Sequence, residues 1–221
     1  MSVNDLLGRG LEILGLPPSG ALAESLSRYM AEIERLNPSL SLVGASGDEL
    51  VVKHVLDSLA PLAIIKELLK IGDASTEARR PRIADLGSGA GLPGVPLALA
   101  LPESEIVLMD RMTRRIRFRE SLRDVLPLSN ADIVETQIEH ARGSFDLIVF
   151  RAFRPFERKL FKRVFALCDT GGAVLAYKGK ADKARAELAQ IEGLYSSADI
   201  IPVEVPFLED ERCVVVLRLI A

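Results

Sequence analysis

Residues 85–94 read Asp-Leu-Gly-Ser-Gly-Ala-Gly-Leu-Pro-Gly, an acid followed by glycines at 87, 89, 91 and 94. Gly87, Gly89 and Gly91 let a backbone turn sharply and approach a ligand closely. If a helix follows, its first N–H groups are free for polar or anionic atoms. Two ligands compete for such a loop. Residues 89–94 satisfy the dinucleotide spacing G-x-G-x-x-G. Asp85, however, would repel a pyrophosphate, whereas the cationic S-adenosylmethionine tolerates or favours an acid there. The glycines alone are a weak signal, because tight structural turns produce the same spacing. Asp110 comes 19 positions after Gly91, and an acid at that point holds a ribose diol in nucleotide-binding α/β sheets. It also suits the cap of a following helix, and the two roles can coexist.

Other reactive side chains are few. Cys168 and Cys213 are far apart in sequence, as are His54 and His140. Neither pair has metal-ligand spacing or forms a disulfide framework, so a metal site is not expected and the cysteines read as small buried residues. No His–carboxylate or Cys–His dyad stands out. His54 and Asp57 have helical i, i+3 spacing. They read either as a local hydrogen bond fixing one helix to its neighbours or as a contact to a nucleic acid.

The elements that must position these residues follow from periodicity. Leu6, Leu7, Leu11 and Leu14 mark one helix, closed by Gly15, and Leu22 to Leu36 mark a second, stopped at Asn37-Pro38. Residues 50–71 read as one helix bent at Pro61, or two. A polar linker covers 73–81, so residues 1–72 form a helical extension and 82–221 a second unit, packed with it as one body. From residue 82 the period changes. Strand-like runs at 82–86, 106–110, 131–136, 147–150, 173–177, 200–205 and 213–220 alternate with helical stretches at 94–101, 113–126, 155–168 and 180–194. That alternation predicts an α/β fold, a mostly parallel seven-stranded sheet with helices on both faces. The last two runs have no helix between them, so the final strand should be antiparallel.

With 221 residues and 48% apolar content, the chain can bury a real core without staples. No apolar run approaches the roughly 18 residues that span a bilayer. The N-terminal residues lack a secretory signal pattern, and the expected location is cytoplasmic. The net charge is −3, but residues 111–185 hold 17 Lys and Arg against 9 Asp and Glu, and the rest 11 against 22. Binding follows the local field. Arg114, Arg115, Arg117, Arg119 and neighbours, with 158–163 and Lys178 to Arg185, read as a phosphate-binding rim or as solvated helix faces.

The stretch Asp85 to Pro96, with its Leu-Pro-Gly-x-Pro extension after the glycines, resembles the first motif of the glucose-inhibited division protein B family, methyltransferases of guanine N7 in small-subunit ribosomal RNA. Further matches run in order: His54-Val-Leu-Asp-Ser58, Asp110 followed by Arg114-Arg115-Ile-Arg-Phe118, Phe145-Asp-Leu-Ile, Arg151-Ala-Phe153, Lys178-Gly179 and Glu211-Arg212. The resemblance spans about residues 37–217. It implies a class I S-adenosylmethionine-dependent methyltransferase, Rossmann-like, with an N-terminal helical extension. It also implies a 16S ribosomal RNA substrate in the small subunit; separately, the chain is expected to act as a monomer without metal. Carried over, Gly87 and Leu92 contact the cofactor, Ile138 and Glu139 lie beside its adenine, and Arg151 is the active-site arginine near the cofactor. Gln137 and His140 depart from the arginine and second acid common around that adenine wall.

Residue chemistry agrees with this expectation. Guanine N7 carries a lone pair and no proton, so alignment in a low-water pocket suffices. Carbon-5 methylation would need a cysteine nucleophile, and neither cysteine follows one of the first four strands. The segment after the fourth strand reads Arg151-Ala-Phe-Arg-Pro155, where substrates bind in open α/β sheets. Arg151 suits guanine O6 unless it is a surface arginine. Phe153 suits base stacking or core packing. A small-molecule methyltransferase, and a non-catalytic nucleotide- or RNA-binding module, are the rival readings.

Overall fold

Seven strands form one sheet in the order β3-β2-β1-β4-β5-β7-β6. The computed structural model describes residues 2–72 and 79–219. The strands are β1 (Arg82–Leu86), β2 (Glu105–Asp110), β3 (Ala131–Glu135), β4 (Phe145–Arg151), β5 (Cys168–Lys178), β6 (Tyr195–Pro202) and β7 (Cys213–Leu219). β1 pairs in parallel with β2 and β4, which continue in parallel to β3 and β5. Only β7 runs against its neighbours. The buried β1 and β4 are near-continuous apolar runs, as expected of parallel strands covered on both faces.

Residues 2–72 carry α1 (Val3–Ile13), α2 (Ala21–Leu40), α3 (Gly47–Leu50), a π-helical turn (Val51–Leu56), α4 (Asp57–Leu59) and α5 (Leu62–Leu68). Ser2 caps α1 in a capping box with Asp5. α2 runs past the expected stop at Asn37-Pro38. Pro38 lies in its last turns, and the Asn37 side chain accepts the N–H groups of Leu42 and Val43 beyond the left-handed Ser41. Pro61 separates α4 from α5, the two-helix alternative. Within the sheet unit lie α6 (Gly94–Ala100), α7 (Thr113–Leu122), α8 (Arg158–Phe165) and α9 (Ala181–Gln190). α8 starts three residues later than its periodicity suggests: residues 153–157 are irregular, Glu157 before the helix is extended, and Phe156 packs on Phe161 at 4.4 Å. β5 starts earlier, at Cys168, and β6 is displaced to 195–202. Most of the expected linker, residues 73–78, lies outside the described residues, as does Ile220 of the last strand. Arg79, at the linker's end, bonds Asp146 at 2.6 and 2.7 Å.

Two cores flank the sheet. On one face Leu7, Tyr29, Ile33, Val55, Leu59 and Ile65 from the N-terminal helices meet Ile83, Leu108, Val149 and Leu175, with α6 and α7 alongside. On the other, α8 and α9 bury Phe161, Val164, Ala184 and Leu188 against Ile148, Phe150 and Val215. No helix among the described residues is long and apolar enough to cross a membrane.

Candidate functional site

Parallel strands end together, so the chains leaving β1, β2, β3 and β4 converge on one edge of the sheet. A cavity of 520 Å³ lies there, a size typical of small-molecule sites. Its apolar wall is Leu86, Met109, Met112 and Ile138. Gly87, Asp110, Arg115, Gln137 and Glu139 add polar surface, and Ala152, Phe153 and Arg154 close it from the β4 side.

Gly87 sits at φ +70°, and a Cβ there would stand 2.7 Å from the Phe153 ring, so only glycine fits beneath that ring. Gly89, at φ +57°, is clamped at both ends. Its N–H donates to Asp110 Oδ2 at 2.9 Å and its carbonyl accepts from Arg119 at 2.6 Å. Asp110 also accepts the Met112 N–H at 2.9 Å, but Met112 is itself the residue that caps α7 and no side chain caps that helix, so Asp110 fixes the turn before α7 rather than capping it while its carboxylate lines the cavity. Asp85 is fully buried behind the loop. Its Oδ2 accepts the Gly94 N–H that opens α6, and its Oδ1 has no partner among the described residues. Burial pushes the Asp85 carboxyl up to about 7 against the pull of Gly94, Arg119 and Arg151. Gly91 and Leu92 lie behind the cavity too, where Tyr29 of α2 donates to the Ala90 carbonyl at 2.8 Å.

Arg119 is a correction to the expected basic rim. It is 0% exposed, with its NH1 on Gly89 and 3.8 Å from Asp110. Residues 116, 119 and 122 share the buried stripe of α7, so Arg119 serves the loop rather than solvent. Arg115 turns inward as well, 3.4 Å from Asp110, and lines the cavity. Arg114 and Arg117 are exposed. Lys178 is also largely withdrawn from solvent. It bonds Glu187 at 2.6 Å and stands 4.1 Å from the Phe156 ring centroid. The basic excess is split, because α7 packs on the face carrying the N-terminal helices and α8 and α9 on the opposite face.

Arg151, at the end of β4, is directed at the N-terminal helices. Its NH1 donates to Asp57 Oδ2 at 2.7 Å and to the Lys53 carbonyl at 2.9 Å, and its NH2 lies 2.8 Å from His54 Nδ1. The following residue, Ala152, has φ +49°, and Phe153 stacks near Phe150 at 5.4 Å as well as over Gly87. Phe153 therefore combines core packing with a place on the cavity wall. Arg154 pairs with Glu139 at 2.8 Å across the mouth. Its place on the wall, like those of Met112 and Ala141, carries no signal in the sequence spacing. Burial and then Arg151 hold His54 down at about 4, so it is neutral at pH 7 and accepts from Arg151 at Nδ1.

These two shifts give opposite pH slopes. Unfolded His54 takes a proton near 6.5 and folded His54 only near 4, so its contribution to stability is lost as pH falls through that window. Asp85 holds its proton up to about 7 when folded, so its contribution is lost as pH rises from 4 to 7. In His54→Gln only the second slope remains. The thermal midpoint of that variant relative to the parent is expected to rise between pH 7 and pH 5. A difference constant with pH would contradict the buried neutral histidine.

Both cysteines are held as thiols. Burial pushes Cys168 up to about 12 and raises Cys213, which donates to the Gly179 carbonyl. Among the described residues no three His, Cys, Asp or Glu side chains are grouped to hold a metal.

The family model of rRNA small subunit methyltransferase G matches residues 22–215. The chain belongs to this family. A ribosomal RNA small subunit methyltransferase G from Treponema denticola is 31% identical over 97% of the chain and 96% of its own length. One from Treponema pallidum is 35% identical over 90% and 86%. Among solved structures, magnesium protoporphyrin IX methyltransferase from Synechocystis, with bound SAM, superposes with a TM-score of 0.55 at 14% identity, covering 86% of this chain and 97% of that one. A SAM-dependent O-methyltransferase from Thermotoga maritima gives 0.54 at 12% identity, covering 72% and 64%. The fold of this rRNA small subunit methyltransferase G family member is thus that of the class I methyltransferases, with the helical extension added.

Proposed function

We propose that this protein transfers a methyl group from S-adenosylmethionine to N7 of a guanine in 16S ribosomal RNA of the small subunit. One observation supports this above others. In a chain matching this family over nearly its whole length, Gly87, Asp110 and Phe153 line one cavity at the strand ends. Neither a small-molecule methyltransferase nor a non-catalytic binding module accounts for that match.

The cavity residues fit the cofactor. Asp110 offers a buried carboxylate to a ribose diol, and Met109, Met112 and Ile138 offer an apolar slot to an adenine. Gly87 and Gly89 keep the loop free of side chains, and the Ile138–Glu139 backbone forms the adenine wall. Asp85, Gly91 and Leu92 support the loop from behind. When bound, S-adenosylmethionine supplies an electrophilic methyl on a sulfonium. Because guanine N7 carries no proton, no residue acts as a base. The chain orients the base and excludes water. Among the described residues three of the five Arg151 N–H donors are engaged, which leaves two for the guanine edge, and Phe153 offers a stacking face. Helices 1–72 and the sheet unit 82–221 act as one body, monomeric, metal-free and cytoplasmic.

The test is transfer of a labelled methyl group to small subunits purified from a deletion strain. Label in 16S RNA is expected. Label confined to small molecules, or none, would overturn the reading. A second expectation concerns the rim. Arg114 and Arg117 on α7 should contact phosphates, so RNA affinity should fall as salt rises, and replacing both by alanine should flatten that slope. Cofactor affinity should not change. Normal RNA binding by the double variant would show that these arginines are merely solvated.

A further inference from the structure

We infer that Asp57 is a positioning residue for methyl transfer: it holds Arg151, and through it the cavity wall at 152–154. This rests on the proposed function for its kinetic consequence, but its structural half stands alone. His54-x-x-Asp57 is the sequence motif that the cofactor and RNA contacts leave without a role. The π-helical turn over Val51–Leu56 puts both side chains, and the Lys53 carbonyl, toward the end of β4. π turns occur often at functional sites.

Asp57 is buried, and each of its oxygens takes a different arginine. Oδ2 accepts Arg151 NH1 at 2.7 Å and Oδ1 accepts Arg212 Nε at 3.0 Å. The two arginines come from the end of β4 and from the segment entering β7, with chain separations of 94 and 155 residues. Charge-assisted bonds of this kind are directional and short. They fix the Arg151 guanidinium while leaving two donors for a ligand. The next residue, Ala152, is held at φ +49°, a conformation an alanine adopts only where its surroundings impose it. On its far side Phe153 rests on Gly87 and Phe150. Ala152, itself on the cavity wall, is therefore gripped between the Asp57–Arg151 tie behind it and the Phe153 ring that lines the cavity.

The two arginines serve different ends. Neither side chain lines the cavity, but Arg151 directly precedes the wall residues 152–154, whereas Arg212 bonds Asp57 and the Glu211 carbonyl away from them. Removing it weakens the tie's anchor without freeing Arg151. Replacing Asp57 frees Arg151 itself.

The experiment compares Asp57→Asn with Arg212→Gln in the full chain. Amide hydrogen exchange over 151–156 is read first, because it needs neither cofactor nor RNA. Exchange there should accelerate at least tenfold in Asp57→Asn and little in Arg212→Gln. Single-turnover methyl transfer to small subunits is read next. Asp57→Asn should lose about 30-fold or more in rate with KM for subunits within about threefold, and Arg212→Gln should stay within about threefold. In the Arg151→Ala background, Asp57→Asn should cost no further rate, since the two act as one unit. If Asp57→Asn does not fold, Asp57→Glu carries the test, with faster exchange and a slower rate expected in folded protein. Unchanged exchange over 151–156 in the folded variant overturns the proposal. So do equal effects of Asp57→Asn and Arg212→Gln, or rate losses that multiply with Arg151→Ala. Wild-type protein that methylates no RNA would overturn the functional reading instead, with the exchange result still deciding the tie.

Discussion

Arg151→Ala is expected to slow methyl transfer by about 10²-fold or more in protein that remains folded. Arg151 offers donors at the end of β4, beside the cavity wall, and guanine N7 chemistry depends on orientation rather than on proton removal. The truncation also leaves Asp57 with Arg212 as its one ion-pair partner among the described residues, so some loss of thermal midpoint accompanies the loss of rate. Transfer should therefore be measured on material shown to be folded, under single-turnover conditions with saturating cofactor. Some weakening of cofactor affinity is also expected from the family resemblance. A folded variant with full activity would remove Arg151 from the mechanism.

Asp110→Ala is expected to weaken S-adenosylmethionine by at least 10- to 100-fold, the loss of about 1.5–3 kcal/mol for charge-assisted bonds to one carboxylate. The lower bound applies because Asp110 does more than face the cavity. It holds the Gly89 N–H and the Met112 N–H, and it is a counter-charge to buried Arg119. Removing it loosens the glycine loop and leaves Arg119 with Asp85 as its remaining buried carboxylate neighbour. Calorimetric titration reads the affinity, and unchanged affinity in folded protein would take Asp110 out of the site.

Much of this arrangement is legible in the sequence, for identifiable reasons. Strand–helix alternation after residue 82 is a property of hydrophobic period, and it yields the parallel sheet. The missing helix between the last two runs yields the antiparallel β7. Asp85, the glycines and Asp110 are legible because loop geometry leaves few residue types to choose from. What spacing cannot supply is pairing across long separations. Asp57 meets Arg151 and Arg212 only because the N-terminal helices pack on the sheet. Lys178 has the composition of a rim cation but meets Glu187, nine residues on, across the start of α9. Arg119 was legible in principle, since it falls three residues after Ile116 and three before Leu122, but its charge points the other way. Pro38 misleads for a similar reason. A proline ends most helices, yet in the last turns of α2 few bonds remain to be broken, and Asn37 takes up the chain beyond.

The position of the methyl group on the product tests the central claim most directly. Small subunits from a deletion strain, incubated with the protein and labelled methyl donor, should yield one modified nucleotide in 16S RNA. Mass spectrometry of its digest should identify N7-methylguanosine. That product requires no base and no covalent enzyme intermediate, in agreement with the thiols held protonated at Cys168 and Cys213. A methyl group found on carbon 5 of a pyrimidine or on an exocyclic amine would contradict the account.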